Sequence, residues 1–199
     1  MATATSKISE VRSQTSDVKV DTLPGFLLEA ITRHNKPNTV SEKRGGEWVR
    51  VSSDEFVRRV RHIALGLADL GIQPGERVGL ISENRPEWSI ADLAVLSAGA
   101  VVVPLYTTQA PDQIKFILED SGARALLISG GRILKHAREG FDGLDNLRDI
   151  VIFDPKSVAG VSRSISLETV EGRGAEIDPK DPGAFDRLLG RARPGHLAT

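Results

Sequence analysis

Cysteine is absent from this 199-residue chain, which removes disulfides, thiolate metal ligands and a cysteine nucleophile together. The N-terminal stretch MATATSKISEVRSQTSDVKVD has no apolar core of the kind a signal peptide needs, so the compartment is read as cytoplasmic. Long apolar runs are lacking too. None approaches the roughly 20 residues required to cross a bilayer; no transmembrane segment is expected, and peripheral membrane contact stays open. Neither sign of charge is in excess, with 26 Lys and Arg against 27 Asp and Glu. A protein that binds nucleic acid mainly through phosphates needs a basic surplus, so no nucleic-acid partner is expected. His34, His62, His136 and His196 fit no H-x₃-H spacing, and no metal site is assigned. No Walker A loop, dinucleotide fingerprint or G-x-S-x-G nucleophile elbow occurs.

What is present is densest between Arg77 and Thr108. Val78, Leu80 and Ile81 form one short apolar run, and Ala100 to Val103 form another of the length and β-branched content of a buried strand. Between them lies a nearly all-apolar helix pattern, with Asn84 expected as its cap, Pro86 in its first turn, Glu87 at the positive end of the dipole and Gly99 closing it. Strands apolar on both faces and joined through a helix indicate a parallel sheet covered on each side. The fold class is therefore α/β, with parallel-sheet layers and helices on both faces.

Around that unit the chain divides into three expected parts: a flexible lead-in over 1–21, an α/β unit over 22–155, and a weakly ordered connection over 156–199. Leu23, Phe26, Leu27, Ala30 and Ile31 predict a first helix ending near Asn35. Thr39 to Arg44 and Glu47 to Val51 flank Gly45-Gly46 as a hairpin. Ser52, with Glu55 three residues on, opens an amphipathic helix whose apolar face is Phe56, Val60, Ile63, Leu67 and Leu70. Further strands are expected at Ala125 to Ile128 and Ile150 to Phe153, with a helix from Pro111 to Gly122 and a short one between Ile133 and Gly140. Beyond Lys156 only short helices are expected, near Leu167 to Val170 and Pro182 to Leu189.

Two strand-end stretches are candidates for a site, because open α/β sheets bind ligands at the carboxyl ends of their strands. Gly130, Gly131 and Arg132, between a strand and a helix, would offer backbone N–H groups and a cation to an anion; the same glycine pair also makes a plain tight turn. Tyr106, Thr107 and Thr108 follow the second central strand and would line a site periphery. No catalytic residue is assigned.

The run PGERVGLISENRPEWSIADLAVLSAGAVVVPLYTT, followed by QIKFILEDSGARALLIS, resembles the N-terminal part of the AMP-forming acyl-CoA synthetases, within the adenylate-forming superfamily. ENRPEW and VPLYTT are most similar to the long-chain fatty acid–CoA ligase branch. The resemblance covers about Thr22 to Phe153. It implies ATP, magnesium and coenzyme A as cofactors of the full-length enzymes and a fatty acid as substrate, activated first to an acyl-adenylate and then to a thioester. It also implies that Gly130, Gly131 and Arg132 lie near the nucleotide end of coenzyme A. Gly195 to Thr199 resemble the strand that introduces the family's phosphate loop, of the form YTSGTTGxPK. That loop and the later motifs are not in this sequence, so the chain alone is expected to be inactive, with the remainder of the ligase as a partner and no cofactor held tightly. The alternative is a small non-enzymatic α/β module that binds a protein or an anionic ligand.

Overall fold

The structure, a computed structural model, describes residues 21–199. All of the expected lead-in but Asp21 lies outside them. Helix α1 (Leu23–His34) opens on Thr22, whose hydroxyl accepts from the Gly25 N–H, and closes on Asn35 in the left-handed region. Strands β1 (Val40–Arg44) and β2 (Glu47–Val51) pair antiparallel, Val40 opposite Val51, around the Gly45-Gly46 turn. Both glycines have positive φ, as a two-residue hairpin turn demands. Ser52 then caps α2 (Ser53–Asp69), its side chain accepting from the Glu55 N–H. Phe56, Val60, Ile63 and Leu67 are buried and Leu70 half-buried. Burial of the first four contributes about 6–12 kcal/mol gross, before chain entropy is counted.

The central unit is β3 (Arg77–Ile81), α3 (Pro86–Ser97) and β4 (Val101–Leu105). Asn84 does not cap α3. Arg85 holds the cap position in extended backbone and makes no side-chain bond to the first turn; its guanidinium reaches Glu87 instead, Nε to Oε2 2.8 Å. Next come α4 (Pro111–Asp120), β5 (Ala125–Ile128), α5 (Gly131–Phe141) and β6 (Asp149–Ile152). Helix α5 runs through Gly140 rather than stopping before it, because a Cβ there would lie 2.4 Å from the Pro111 carbonyl of α4. Glycine at 140 is a close-approach residue, not a terminator.

The segment expected as a weak connection is ordered structure in the same layers. A short 3₁₀ turn (Pro155–Ser157) leads to β7 (Ser164–Ser166), α6 (Leu167–Ile177) and α7 (Ala184–Leu189). Polar Ser164 and Ser166 hide β7 from a propensity reading, and the glycines at 172 and 174 hide the length of α6, whereas both helices lie where short ones are expected. Gly174 belongs in the helix for a tertiary reason: a Cβ on it would meet the His62 carbonyl of α2 at 1.8 Å, and one on Gly66 would meet the Val170 carbonyl at 2.0 Å. The two helices cross backbone to backbone.

The five-stranded sheet has the order β4-β3-β5-β6-β7, all parallel. Its side chains alternate between two cores. Val78, Leu80, Val102, Ala125, Leu127 and Val151 join the cluster built with α1, α2, α3, α6 and α7. Ile81, Leu105, Leu126, Ile128, Ile150 and Ile152 join the one built with α4 and α5. At the β4 edge, the Val102 N–H donates to the Ala198 carbonyl at 2.9 Å.

Candidate functional site

Because the five strands are parallel, their carboxyl ends share one edge, and the loops after β3, β4, β5 and β6 gather there. Neighbouring β3 and β5 send their following helices to opposite faces, α3 to one core and α5 to the other. The chain therefore separates above these two strands, where doubly wound sheets form a ligand crevice. Ser82 to Arg85 stand on one side and Ser129 to Arg132 on the other.

The crevice floor is polar and buried. Ser82 Oγ donates to the Glu83 carbonyl at 2.9 Å. The Ser129 N–H is held by the Ile81 carbonyl at 3.0 Å, yet its hydroxyl, 0% exposed, has no hydrogen-bond partner among the described residues. A buried hydroxyl without a partner is costly.

The glycine turn is more occupied than its sequence suggests. The Gly131 N–H donates to Ser157 Oγ at 3.1 Å, and Ser157 Oγ in turn donates to Asp154 Oδ2 at 3.2 Å. A Cβ on Gly130 would fall 2.5 Å from Asp154 Cβ. Gly131 sits at φ 60°, so both glycines are required by the turn itself. Asp154 and Ser157, which follow β6, thus supply a carboxylate and a hydroxyl where an incoming anion would need N–H groups. Sequence reasoning missed both, since only the pairing of β5 with β6 brings them to the turn. Arg132 is exposed and makes no ion pair or side-chain hydrogen bond with any described residue.

Tyr106, Thr107 and Thr108 lie on the same edge, after β4. Tyr106 is 78% exposed, Thr107 half-buried and Thr108 exposed. Gln109 fixes this loop by accepting the Tyr106 N–H on Oε1 at 2.9 Å. The Gln109 carbonyl accepts from His136 Nε2 of α5, also at 2.9 Å, so the two candidate stretches are tied through one bond.

Beside the crevice, Glu87 is surrounded by arginines. Arg85 is at 2.8 Å, Arg44 at 3.4 Å and Arg59 at 3.8 Å. Burial by itself pushes the Glu87 carboxyl up, but the hydrogen bonds from Arg85 and its own backbone, with the Arg85 and Arg59 charges, outweigh it and leave the pKa below the usual carboxylate value. Arg59 also bonds Glu171 of α6 at 3.2 Å, and the Arg85 guanidinium lies 5.8 Å from the centre of the Phe153 ring. This network braces the β3–α3 loop. Among the described residues, no three His, Asp or Glu side chains converge as a metal site, and no helix is long and apolar enough to cross a membrane.

A doubly wound parallel sheet with its crevice at the strand ends is the frame of many nucleotide-using enzymes. The family model described as "AMP-binding enzyme" matches residues 29–184, and the chain belongs to that family. It is 35% identical over 152 residues to the long-chain-fatty-acid–CoA ligase FadD15 of Mycobacterium bovis, covering 76% of this chain and 24% of the relative. With the long-chain-fatty-acid–CoA ligase ACSBG1 of Rattus norvegicus it shares 25% identity over 181 residues, 89% of this chain and 24% of the relative. The chain thus spans about a quarter of the length of these curated relatives. Among solved structures, the A-PCP didomain of a carboxylic acid reductase from Segniliparus rugosus, in complex with AMP, superposes with a TM-score of 0.64 at 19% identity, over 84% of this chain and 28% of that one. At that identity the likeness concerns the fold.

Proposed function

We propose that this chain provides the opening α/β part of an ATP-dependent ligase that activates a long-chain fatty acid. In that reaction the fatty carboxylate attacks the α-phosphorus of ATP, pyrophosphate leaves, and the thiol of coenzyme A then displaces AMP to give the thioester. The observation that carries the reading is the family match over 29–184, together with relatives that bear this ligase name. The strand-end crevice between β3 and β5 is compatible with it.

Within that reading, residues 22–155 and the elements after them form one wall of the site. Tyr106, Thr107 and Thr108 stand at its periphery. Arg132 supplies the charge for the nucleotide end of coenzyme A, and Gly130 and Gly131 shape the turn that carries it, since the Gly131 N–H is engaged by Ser157. Positioning and neutralising the triphosphate takes a set of backbone donors, hydroxyls, a cation and magnesium. These 199 residues contain no glycine-rich phosphate cradle, so ATP, magnesium and coenzyme A are used by the whole enzyme and not held tightly here. An ATP–pyrophosphate exchange assay with palmitate and magnesium tests both halves. The 199-residue chain alone is expected at background, and a chimera joining it to the remaining length of the Mycobacterium bovis relative is expected to exchange and to form acyl-CoA. A folded but inactive chimera counts against the ligase reading; exchange by the chain alone counts against the division of labour.

A further inference from the structure

The β1–β2 hairpin has two unlike faces. Residues directly opposite in an antiparallel pair share a face, so Val40, Glu42, Arg44, Glu47, Val49 and Val51 lie on one and Ser41, Lys43, Trp48 and Arg50 on the other. The first face turns to the body: Val51 is buried, Val40 packs on the core, and Arg44 reaches Glu87. On the second, all four residues are exposed. Trp48 is 63% exposed, in a chain with only two tryptophans. Its direct cross-strand neighbour is Lys43, and Ser41 faces Arg50. Neither Lys43 nor Arg50 makes an ion pair or a side-chain hydrogen bond with any described residue, so this face carries two positive charges without a bonded partner around one indole.

We propose that the Ser41–Lys43–Trp48–Arg50 face is a membrane-docking surface for bilayers containing anionic lipid. An indole has an apolar body and a polar N–H, and it settles at the headgroup level where both are satisfied. Cations beside it are drawn to the negative potential of anionic headgroups. A hydrophobic signal and an electrostatic one act together on this face, the indole through its apolar body and the two cations through their attraction to the anionic surface. A two-stranded ribbon with one face bare gains little from its own packing, which suits an element that is covered when docked. Charge complementarity selects an anionic lipid surface over a neutral one. The inference goes beyond the ligase reading and does not depend on it.

The test uses the 199-residue chain and no nucleotide, so its outcome is separate from that of the exchange assay. Co-sedimentation with phosphatidylcholine vesicles, with and without phosphatidylglycerol, is measured at low and at physiological salt. Binding is expected only with the anionic lipid and is expected to weaken as salt is added. Changing Lys43→Ala and Arg50→Ala together is expected to weaken it roughly 25-fold, at about five-fold per charge. Ser41→Lys adds a cation to the face and is expected to tighten it by a similar five-fold factor. Brominated lipids are expected to quench the parent chain more than Trp48→Phe. Far-UV circular dichroism and thermal midpoints matching the parent show that the variants fold. The proposal is overturned if anionic vesicles are not bound at low salt, if the double variant binds as well as the parent, or if single-stranded nucleic acid binds this face and vesicles do not.

Discussion

The two faces of the sheet are covered in different ways. One carries α4 and α5, each a crossover between strands close in sequence, and its core draws almost wholly on residues 81 to 161. The other carries α1, α2, α3, α6 and α7, and its tightest crossing joins Gly66 to Val170 and His62 to Gly174, more than a hundred positions apart. The first face assembles from local connections. The second needs the far end of the chain to return before its core is complete, so loop closure costs more there and folding is slower to be rewarded.

Ile63→Asp is the strongest way to break the second face. Ile63 is 0% exposed, and an unpaired carboxylate there costs on the order of 5 kcal/mol. Complete loss of the cooperative urea transition is expected; a variant that unfolds like the parent would mean α2 does not anchor this core. Gly174→Ala and Gly140→Ala then compare the two faces directly. Each places a methyl inside a neighbouring backbone carbonyl, at 1.8 Å from His62 and 2.4 Å from Pro111. Both are expected to destabilise by about 1–3 kcal/mol, Gly174→Ala the more, as read from urea midpoints. A smaller loss at Gly174 would show that α6 can slide away from α2.

Side by side on β5, Leu126 and Leu127 point into opposite cores. Truncation of either to alanine is expected to cost about 2–5 kcal/mol. Unequal costs would identify the face that relaxes into the cavity. The smallest effect lies on the rim of the α2–α6 contact, where Arg61 Nε donates to Asp178 Oδ1 at 2.7 Å. That hydrogen bond, which outweighs the partial burial of the group, holds the Asp178 carboxyl below its ordinary pKa, helped by the Arg61 and His62 charges. A carboxylate depressed in the folded state adds stability above its unfolded pKa of about 3.9 and loses it as pH falls through the folded value. Asp178→Asn is therefore expected to cost about 0.5–1 kcal/mol at pH 7, given its exposure, and less at pH 2. Equal costs at both pH values would assign the effect to packing.

The same division explains what the sequence made legible. The hairpin turn, the Ser52 cap, the β3–α3–β4 unit and the endings at Gly99 and Gly122 are written in neighbouring residues and need no tertiary information. Gly172 and Gly174 look like breakers in a one-dimensional reading. Only the approach of His62 makes glycine at 174 the residue α6 requires. At the candidate site, Tyr106 to Thr108 and Gly130 to Arg132 are visible as strand-end loops. That Asp154 and Ser157 already occupy the glycine turn is not visible, because it depends on β6 lying beside β5.

The hydrogen bond from Val102 to Ala198 has a bearing on how copies of this chain meet. In a parallel strand, alternate residues direct their N–H groups to opposite sides; Val101 donates towards Glu76 of the β3 side, so Val102 and Pro104 face outward. Val102 has given its proton to Ala198, and proline has none to give. The outer edge of β4 therefore offers a second molecule acceptors without donors, and a ladder cannot grow from acceptors alone. At the opposite edge β7 is only three residues long. Addition of a strand to the five-stranded sheet is opposed on one side by chemistry and on the other by length, for as long as the Ala198 contact holds.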